Sequence, residues 1–201
     1  RSVKNMGWMF KSASVFNQTL NRWSVKNVNN MTLMFEKATN FNGDISAWNT
    51  GKVTSMASMF NGASKFNQNI GDWNVENVTD MYNMFNNVTN FNQDIGKWNV
   101  GNVNNMSWMF KSASNFNQNI GKWNVKNVYS MKSMFENAIN FNQNIREWKT
   151  RDNLEDGRQG TTFDNMFKNA SAMITTYGPD GENITEFGKS PNYTPKKDFF
   201  N

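Results

Sequence analysis

The side chains that most enzymes use for catalysis are scarce in this sequence of 201 residues. It contains no histidine and no cysteine, which excludes imidazole bases, thiolate nucleophiles, disulfides and the usual zinc ligands. The chemistry that is left needs paired carboxylates or a Ser/Lys arrangement. No Gly-rich phosphate-binding loop is present. The sequence therefore predicts a protein that is not an enzyme and has no cofactor.

Three carboxylates that could approach one another lie in one short stretch of the sequence, at Asp152, Glu155 and Asp156. These three side chains are the one candidate for a hard cation such as Ca²⁺, but the stretch is too short a pattern to predict a metal site. Asp44 and Asp94 occupy a position that repeats along the chain. Its other occupants are polar and uncharged: Thr19, Asn69, Asn119 and Asn144. We therefore interpret this position as polar surface, not as a catalytic acid.

The strongest feature of the sequence is a repeat of 25 residues. Tryptophan recurs at this spacing at Trp23, Trp48, Trp73, Trp98, Trp123 and Trp148. Phenylalanine does the same from Phe16 to Phe141, each time followed by asparagine, and a Met-Phe pair recurs from Met9-Phe10 to Met134-Phe135. Such a period is typical of proteins in which each unit buries its apolar side chains against the next. We expect the tryptophans, phenylalanines and isoleucines to stack on their counterparts, and the asparagines to bond backbone groups between units.

One unit is predicted to contain a short helix and a short strand. Val78, Met81, Met84, Phe85 and Val88 lie on one face of a helix over about 79–87. The segment FNQDI that follows fits a strand, with a turn at Gly96. The predicted fold is therefore an α/β repeat protein, a leucine-rich-repeat-like right-handed solenoid with one short strand and one short helix per 25-residue coil.

The repeats divide the chain into two parts. Six full repeats and a partial seventh are predicted to cover 1–174, with a loop insertion at about 151–160 that delays the seventh repeat by seven residues. Residues 175–201 contain all three prolines and are predicted to form a C-terminal cap and a loosely ordered tail.

The consensus V-x-x-M-x-x-M-F-x-x-A-x-x-F-N-Q-x-I-x-x-W-x-V-x-N-V resembles a known repeat over about 3–173. It is similar to the repeat of BspA-like leucine-rich-repeat surface proteins, and in particular to a mycoplasma surface lipoprotein family with 25- or 26-residue repeats, once described as a domain of unknown function. The resemblance implies a domain displayed on the cell surface, lipid-anchored in the full-length protein. Some relatives are adhesins, so the resemblance also implies binding to host protein or glycan.

Charge and hydropathy limit the other classes of partner. The net charge is +5, but no run of five or more basic residues occurs, so nucleic acid is not the expected partner. No apolar stretch approaches the ~20 residues that span a bilayer. The chain starts at Arg1 without a signal peptide, and we interpret it as a piece of a longer protein. Membrane attachment would then need an anchor outside the piece.

The positions that vary between repeats are the candidates for binding. One such position holds Trp8 and Trp108, which the helical pattern places away from the core, together with Leu33, Ser58, Asn83 and Ser133. Two interpretations stay open for both tryptophans: ligand binding, or cover for a neighbouring loop. Tyr82 and Tyr129 are weaker candidates. Lys97 and Lys122 share a second variable position, one unit apart, where they could receive an anionic group.

Four hypotheses follow about function. The first is an adhesin-like surface module for host protein or glycan, and the second is a structural or antigenic spacer without a dedicated ligand. The third is a charge-driven binder of anionic polymer or nucleic acid, which requires a steep salt dependence. A hydrolase is the weakest of the four, because it needs clustered carboxylates in a cleft.

Overall fold

The computed structural model describes residues 2–151, 160–177, 194–195 and 199–200. In these residues the only regular element is one short helix, α1 (Ser171–Tyr177), and no strand is present. The predicted α/β, leucine-rich-repeat-like right-handed solenoid with a strand and a helix in each coil is therefore wrong. The helix expected over 79–87 is replaced by a series of turns, and the strand expected in FNQDI has no regular structure.

Consecutive repeats nevertheless stack on one another in parallel. We number them from repeat 1, which begins at Val3, in steps of 25 residues to repeat 6, which begins at Val128; repeat 7 comprises residues 161–173. One isolated parallel bridge joins each repeat to the next, through Asn5, Asn30, Ser55, Asp80, Asn105, Ser130 and Thr162. The last step is longer than 25 residues because residues 152–159, which lie outside the described part, intervene. Each residue thus meets its equivalent in the neighbouring repeats.

Backbone N–H groups alternate between two kinds of acceptor, and this explains why no helix forms. In repeat 4 the N–H groups of Met81, Asn83 and Phe85 donate to carbonyls of repeat 5, at 2.8–3.1 Å. The N–H groups of Met84 and Val88 instead close turns onto the carbonyls three residues back, at 3.2 and 3.1 Å. An α-helix would use all of these groups within one segment. Here the next repeat supplies half of the acceptors.

The turns depend on two residues per repeat in the left-handed backbone region. In repeat 4 these are Asn83, with φ of 60°, and Asn87, with φ of 57°. The same two positions have positive φ in the other repeats: Trp8, Ser12, Leu33, Lys37, Ser58, Gly62, Trp108, Ser112, Ser133, Asn137, Asn165 and Asn169. A type II turn requires positive φ at its third residue, whereas a right-handed helix excludes it. Two such turns in series place residues 81, 84, 85 and 88 in the core. The spacing of these four residues is the same as that of residues on one face of a helix, and for this reason the sequence predicted a helix.

Stacked aromatic rings fill the interior. Within a repeat, the two phenylalanines lie face to face, with the ring centroids of Phe85 and Phe91 4.1 Å apart. Between repeats, Phe85 stacks on Phe110 at 5.6 Å and Phe91 on Phe116 at 5.9 Å. Burial of each such side chain stabilises the fold by roughly 1.5–3 kcal/mol. The core is therefore a continuous column with no break between repeats.

The evenly spaced tryptophans form a second internal column. From Trp48 to Trp148 they are 1–4% exposed, and Trp98 stacks on Trp123 at 6.5 Å. Each indole N–H of these five donates to a backbone carbonyl of the preceding repeat, as Trp98 does to Ile70 at 3.1 Å. A buried indole needs such a partner. Trp23 departs from this column, because 39% of it is exposed.

The asparagine that follows the second phenylalanine links the repeats on the outside, as predicted. The side-chain oxygen of Asn92 accepts the backbone N–H of Asn117 at 2.9 Å, and Asn92 itself donates its N–H to Asn67. The same bond joins Asn17 to Asn42, Asn42 to Asn67, and Asn117 to Asn142. The next residue, Gln118, donates its side-chain amide back to the Asn92 side chain at 2.9 Å. Amide side chains therefore replace the backbone pairing that a strand would provide.

Repeat 7 and two distant phenylalanines close the C-terminal end. Phe167 stacks on Phe135 at 5.8 Å, and Phe200 stacks on Trp148 at 6.4 Å. At the base of the insertion the N–H of Arg151 donates to Thr161 Oγ1 at 3.0 Å, and the N–H of Thr161 donates to the Arg151 carbonyl. The predicted loosely ordered tail falls mostly on residues 178–193 and 196–198, which lie outside the described part.

Replacement of Gly96 by alanine should destabilise the stack. A Cβ at this position would lie 2.5 Å from the carbonyl oxygen of Asn119, in the next repeat. We expect Gly96→Ala to lower the free energy of unfolding by about 2 kcal/mol. In the control, Gly101→Ala, the nearest atom is the Asn99 side-chain oxygen at 3.2 Å, which can move. Urea denaturation should show a change within about 0.5 kcal/mol for Gly101→Ala; equal losses would contradict the close approach of repeats.

Loss of one asparagine side chain from the outer column should also be costly. Asn92→Ala leaves the N–H of Asn117 and the amide of Gln118 without this acceptor, and we expect a loss of about 1–2 kcal/mol. Asn90→Ala is the matched control. In the described residues the side chain of Asn90 makes no hydrogen bond, and only its backbone N–H does, to Ser64. A loss from Asn90→Ala as large as that from Asn92→Ala would refute the role of the column.

Candidate binding surface

The two tryptophans predicted to face solvent lie in different surroundings. Trp8 is 51% exposed, and no other ring contacts it in the described part of the chain. Trp108 is half-buried, because Tyr82 of the preceding repeat packs against it with ring centroids 5.2 Å apart and planes tilted by 55°. The structure thus brings two of the predicted residues, Tyr82 and Trp108, into one aromatic pair and leaves Trp8 alone.

The turns explain this difference within the variable position. Trp8 and Trp108 both occupy the first left-handed residue of their repeats, with φ of 61° and 59°. In three other repeats the same position holds a small polar residue that is buried: Ser58, Asn83 and Ser133. Asn83 Nδ2 donates to Ser58 Oγ at 3.1 Å. Variation at this position therefore reflects local packing as well as exposure.

The turn that carries Trp108 is held by an ion pair. The carbonyl of Trp108 accepts the N–H of Lys111, and Lys111 Nζ lies 3.0 Å from the carboxylate of Glu136. Burial raises the pKa of Glu136, but hydrogen bonds from Lys111 and Ser133 and the charges of Lys111 and Lys168 outweigh it. The pKa of this carboxyl is consequently below its usual value. Lys11 and Glu36 make the equivalent pair near Trp8, at 2.7 Å.

Tyr82 is perturbed by its surroundings as well. Burial, and to a smaller degree the charge of Asp80, raises the pKa of its phenol. Asp80 is placed by a local turn in which its carboxylate accepts the backbone N–H of Tyr82 at 2.9 Å. Asn30 and Asn105, at the same position in other repeats, accept an N–H in the same way. The charge of Asp80 is therefore not needed for the turn.

Lys97 and Lys122 are both exposed, and Lys122 does not line the depression that Lys97 borders. Lys97 borders a shallow depression of about 270 Å³, together with Asp72, Asp94, Asn69 and Gly71. Two carboxylates beside one lysine make this place unfavourable for the anionic group that the sequence predicted. Tyr129, the weaker aromatic candidate, is 45% exposed.

A groove that the sequence did not predict lies along repeats 1 to 3. It has a volume of about 470 Å³ and is lined by Ser2, Lys4, Asn27, Asn29, Lys52, Thr54 and Asn77. Its lining contains two lysines and no carboxylate. Lys52 Nζ donates to Asn27 Oδ1 at 3.1 Å, and Thr54 Oγ1 to the carbonyl of Asn29. The only hint in the sequence was two lysines at outward positions without acidic neighbours.

The described residues contain no group of three or more acidic side chains that could hold a metal ion. The acidic stretch Asp152, Glu155 and Asp156 lies outside the described part. In the part of the chain that the structure describes, no helix has the length and apolar character needed to cross a bilayer.

A family model described as "Mycoplasma protein of unknown function, DUF285" matches residues 1–93 and matches again, in tandem, over 68–178. A search of curated proteins finds none that matches the chain.

The pKa of Tyr82 offers a direct test of this surface. Asp80→Asn should keep the turn but remove the negative charge that disfavours the phenolate, so the pKa of Tyr82 should fall. It should still stay above its ordinary value of 10.0, because burial is the larger cause. The chain has four tyrosines, so the difference in phenolate absorbance from a Tyr82→Phe variant during an alkaline titration measures the pKa of Tyr82. A pKa of Tyr82 that is the same in Asp80→Asn and in the unmodified protein would contradict the placement of Asp80 beside the ring.

Proposed function

Because this chain belongs to the family described as Mycoplasma protein of unknown function, DUF285, no activity comes with the family, and we propose one from the surface. The protein is a non-enzymatic repeat domain of the cell surface that binds host molecules, with a glycan or a glycosylated protein as the favoured ligand. The resemblance to BspA-like surface proteins supports this location and a lipid anchor in the full-length protein.

The observation that carries the proposal is the aromatic pair of Tyr82 and Trp108. Nearly every other large aromatic side chain in repeats 2 to 6 is buried in the internal columns. This pair instead stands half-buried on the side of the stack, held by turns and by the Lys111–Glu136 ion pair. Aromatic faces bordered by a few polar groups are typical of ligand sites, since they offer apolar area at low entropic cost.

The polar character of the stack favours a sugar over an apolar ligand. Two polar side chains that are not buried lie beside the pair: Asp80, whose carboxylate accepts the Tyr82 N–H, and Lys132, whose carbonyl accepts the Trp108 N–H. Both side chains can bond the hydroxyl groups of a sugar. Tyr82 is protonated at neutral pH, as any tyrosine with an ordinary pKa is, and burial and Asp80 raise its pKa further. Its hydroxyl can therefore act as donor and acceptor.

One further candidate has an observation of its own. The groove with Lys4 and Lys52 offers positive charge without a carboxylate, and an acidic polymer could bind there by charge. Binding in this groove would weaken steeply with salt, whereas stacking on the aromatic pair would not. A spacer without any ligand remains the third possibility, and it predicts binding at neither place.

A glycan array and immobilised matrix proteins test the proposal. We expect saturable binding that falls at least tenfold in Trp108→Ala and in Tyr82→Ala, since truncation of a central aromatic residue removes on the order of 2 kcal/mol. Tyr129→Ala is the matched control, because Tyr129 is exposed and no ring packs on it in the described residues.

The outcome distinguishes the three candidates. Binding lost in Lys52→Gln and in high salt, but kept in Trp108→Ala, would move the site to the groove. Equal binding by Trp108→Ala, Lys52→Gln and the unmodified protein would reject both sites. If no glycan or matrix protein bound saturably, the result would favour the hypothesis of a spacer without a ligand.

A further inference from the structure

The outer side of repeat 1, which we call the open face, exposes residues that are buried in every later repeat. Trp23 is 39% exposed, against 1–4% for the five tryptophans that follow in its column. Met9 is 46% exposed, whereas its equivalents in repeats 2 to 6 are fully buried. Phe10 and Phe16 are only partly buried. The internal aromatic columns thus end at this face without a cover.

Hydrogen-bond acceptors are left open at the same face. The carbonyls of Asn30, Thr32, Met34 and Glu36 in repeat 2 accept N–H groups from repeat 1. Their equivalents in repeat 1 are the carbonyls of Asn5, Gly7, Met9 and Lys11, and in the described residues none of these accepts a hydrogen bond. Four carbonyls in a row form an unpaired edge.

Hydrogen-bond donors of repeat 1 are also unpaired at the open face, within the described residues. Asn42 donates its backbone N–H to Asn17, and Trp48 its indole N–H to the Leu20 carbonyl. The equivalent groups of repeat 1 are the N–H of Asn17 and the indole N–H of Trp23, and neither has an acceptor in the described residues. The face is therefore one half of an interface that occurs, complete, between every pair of repeats.

The opposite end of the stack is different. Phe200 lies on Trp148 in the place of a further tryptophan, with the two rings 7° from parallel, and Phe199 is buried beside Phe167. This cover occupies the surface that a second copy of the chain would need for stacking head to tail. Growth of the stack is thus blocked at this end and open at the other.

We propose that the open face docks one further 25-residue repeat of the same consensus, joined in line before Val3. Such a repeat offers, at the spacing seen between repeats 1 and 2, N–H donors for the four carbonyls, an asparagine side chain for the Asn17 N–H and rings for Phe10 and Trp23. Met9 and Trp23 then become core residues, as their equivalents are in repeats 2 to 6.

A fusion protein tests this docking. A copy of residues 53–77 is placed directly before Val3, because in the chain these residues precede Val78 in the same register. Met9 is the only one of the fourteen methionines that is exposed, so its oxidation by peroxide, followed by peptide mapping, reports on the face alone. We expect Met9 oxidation to slow at least tenfold and Tm to rise.

A control fusion carries Phe60→Ser, Phe66→Ser and Trp73→Ser within the added copy. It should oxidise at Met9 as fast as the unfused chain. A second fusion, with a copy of residues 103–127, guards against failure of one sequence to fold. If Met9 oxidises in both intact fusions as fast as in the control, the proposal is wrong. Protection of Met9 in the unfused chain that grows with protein concentration would also overturn it, because a second copy would then cover the face.

Discussion

The whole structure depends on each residue meeting its equivalent 25 positions further along the chain. Alternate backbone N–H groups of one repeat find their acceptors on the next, and the remaining groups close turns within the repeat. This division leaves neither a helix nor a strand to form in repeats 1 to 6, yet it pairs the backbone of every repeat with its neighbours. Identical spacing within the paired segments makes the arrangement possible, because a residue inserted between two donors would put them out of step. The longer step from repeat 6 to repeat 7 keeps the pairing, since its extra residues lie between the paired segments.

Two kinds of side-chain column follow from that register. Phenylalanine and tryptophan stack on themselves inside, and each buried indole N–H donates to a carbonyl of the preceding repeat that also accepts a backbone N–H, as Ile70 does from Trp98 and Trp73. Asparagine does the same outside, where its amide bonds the backbone of the next repeat. The high asparagine content therefore has a structural cause. The outward positions that the stack does not use, among them the pair of Tyr82 and Trp108, are the candidates for binding.

The sequence could predict the columns but not the conformation that joins them. The 25-residue period was sufficient for Asn92 to be assigned to an outer column, since a residue repeated without change must meet itself. The prediction of a helix over 79–87 was wrong, because turns with Asn83 and Asn87 in the left-handed region bury apolar residues at the same spacing as one face of a helix. The sequence could not predict the pairing of Tyr82 with Trp108 or the groove with Lys4 and Lys52. Both depend on which columns of side chains become neighbours, and the turns determine this arrangement, not the 25-residue period.

Distances between spin labels test the stacking most directly. The chain has no cysteine, so labels can be placed at Val15→Cys and Asn140→Cys, five repeats apart, and at Lys65→Cys and Asn140→Cys, three repeats apart. Backbone pairing between repeats sets about 4.8 Å per repeat, so the two distances should differ by about 10 Å in double electron–electron resonance. Repeats built on packed helices would be spaced 8–10 Å apart. A difference of about 16–20 Å would contradict the account.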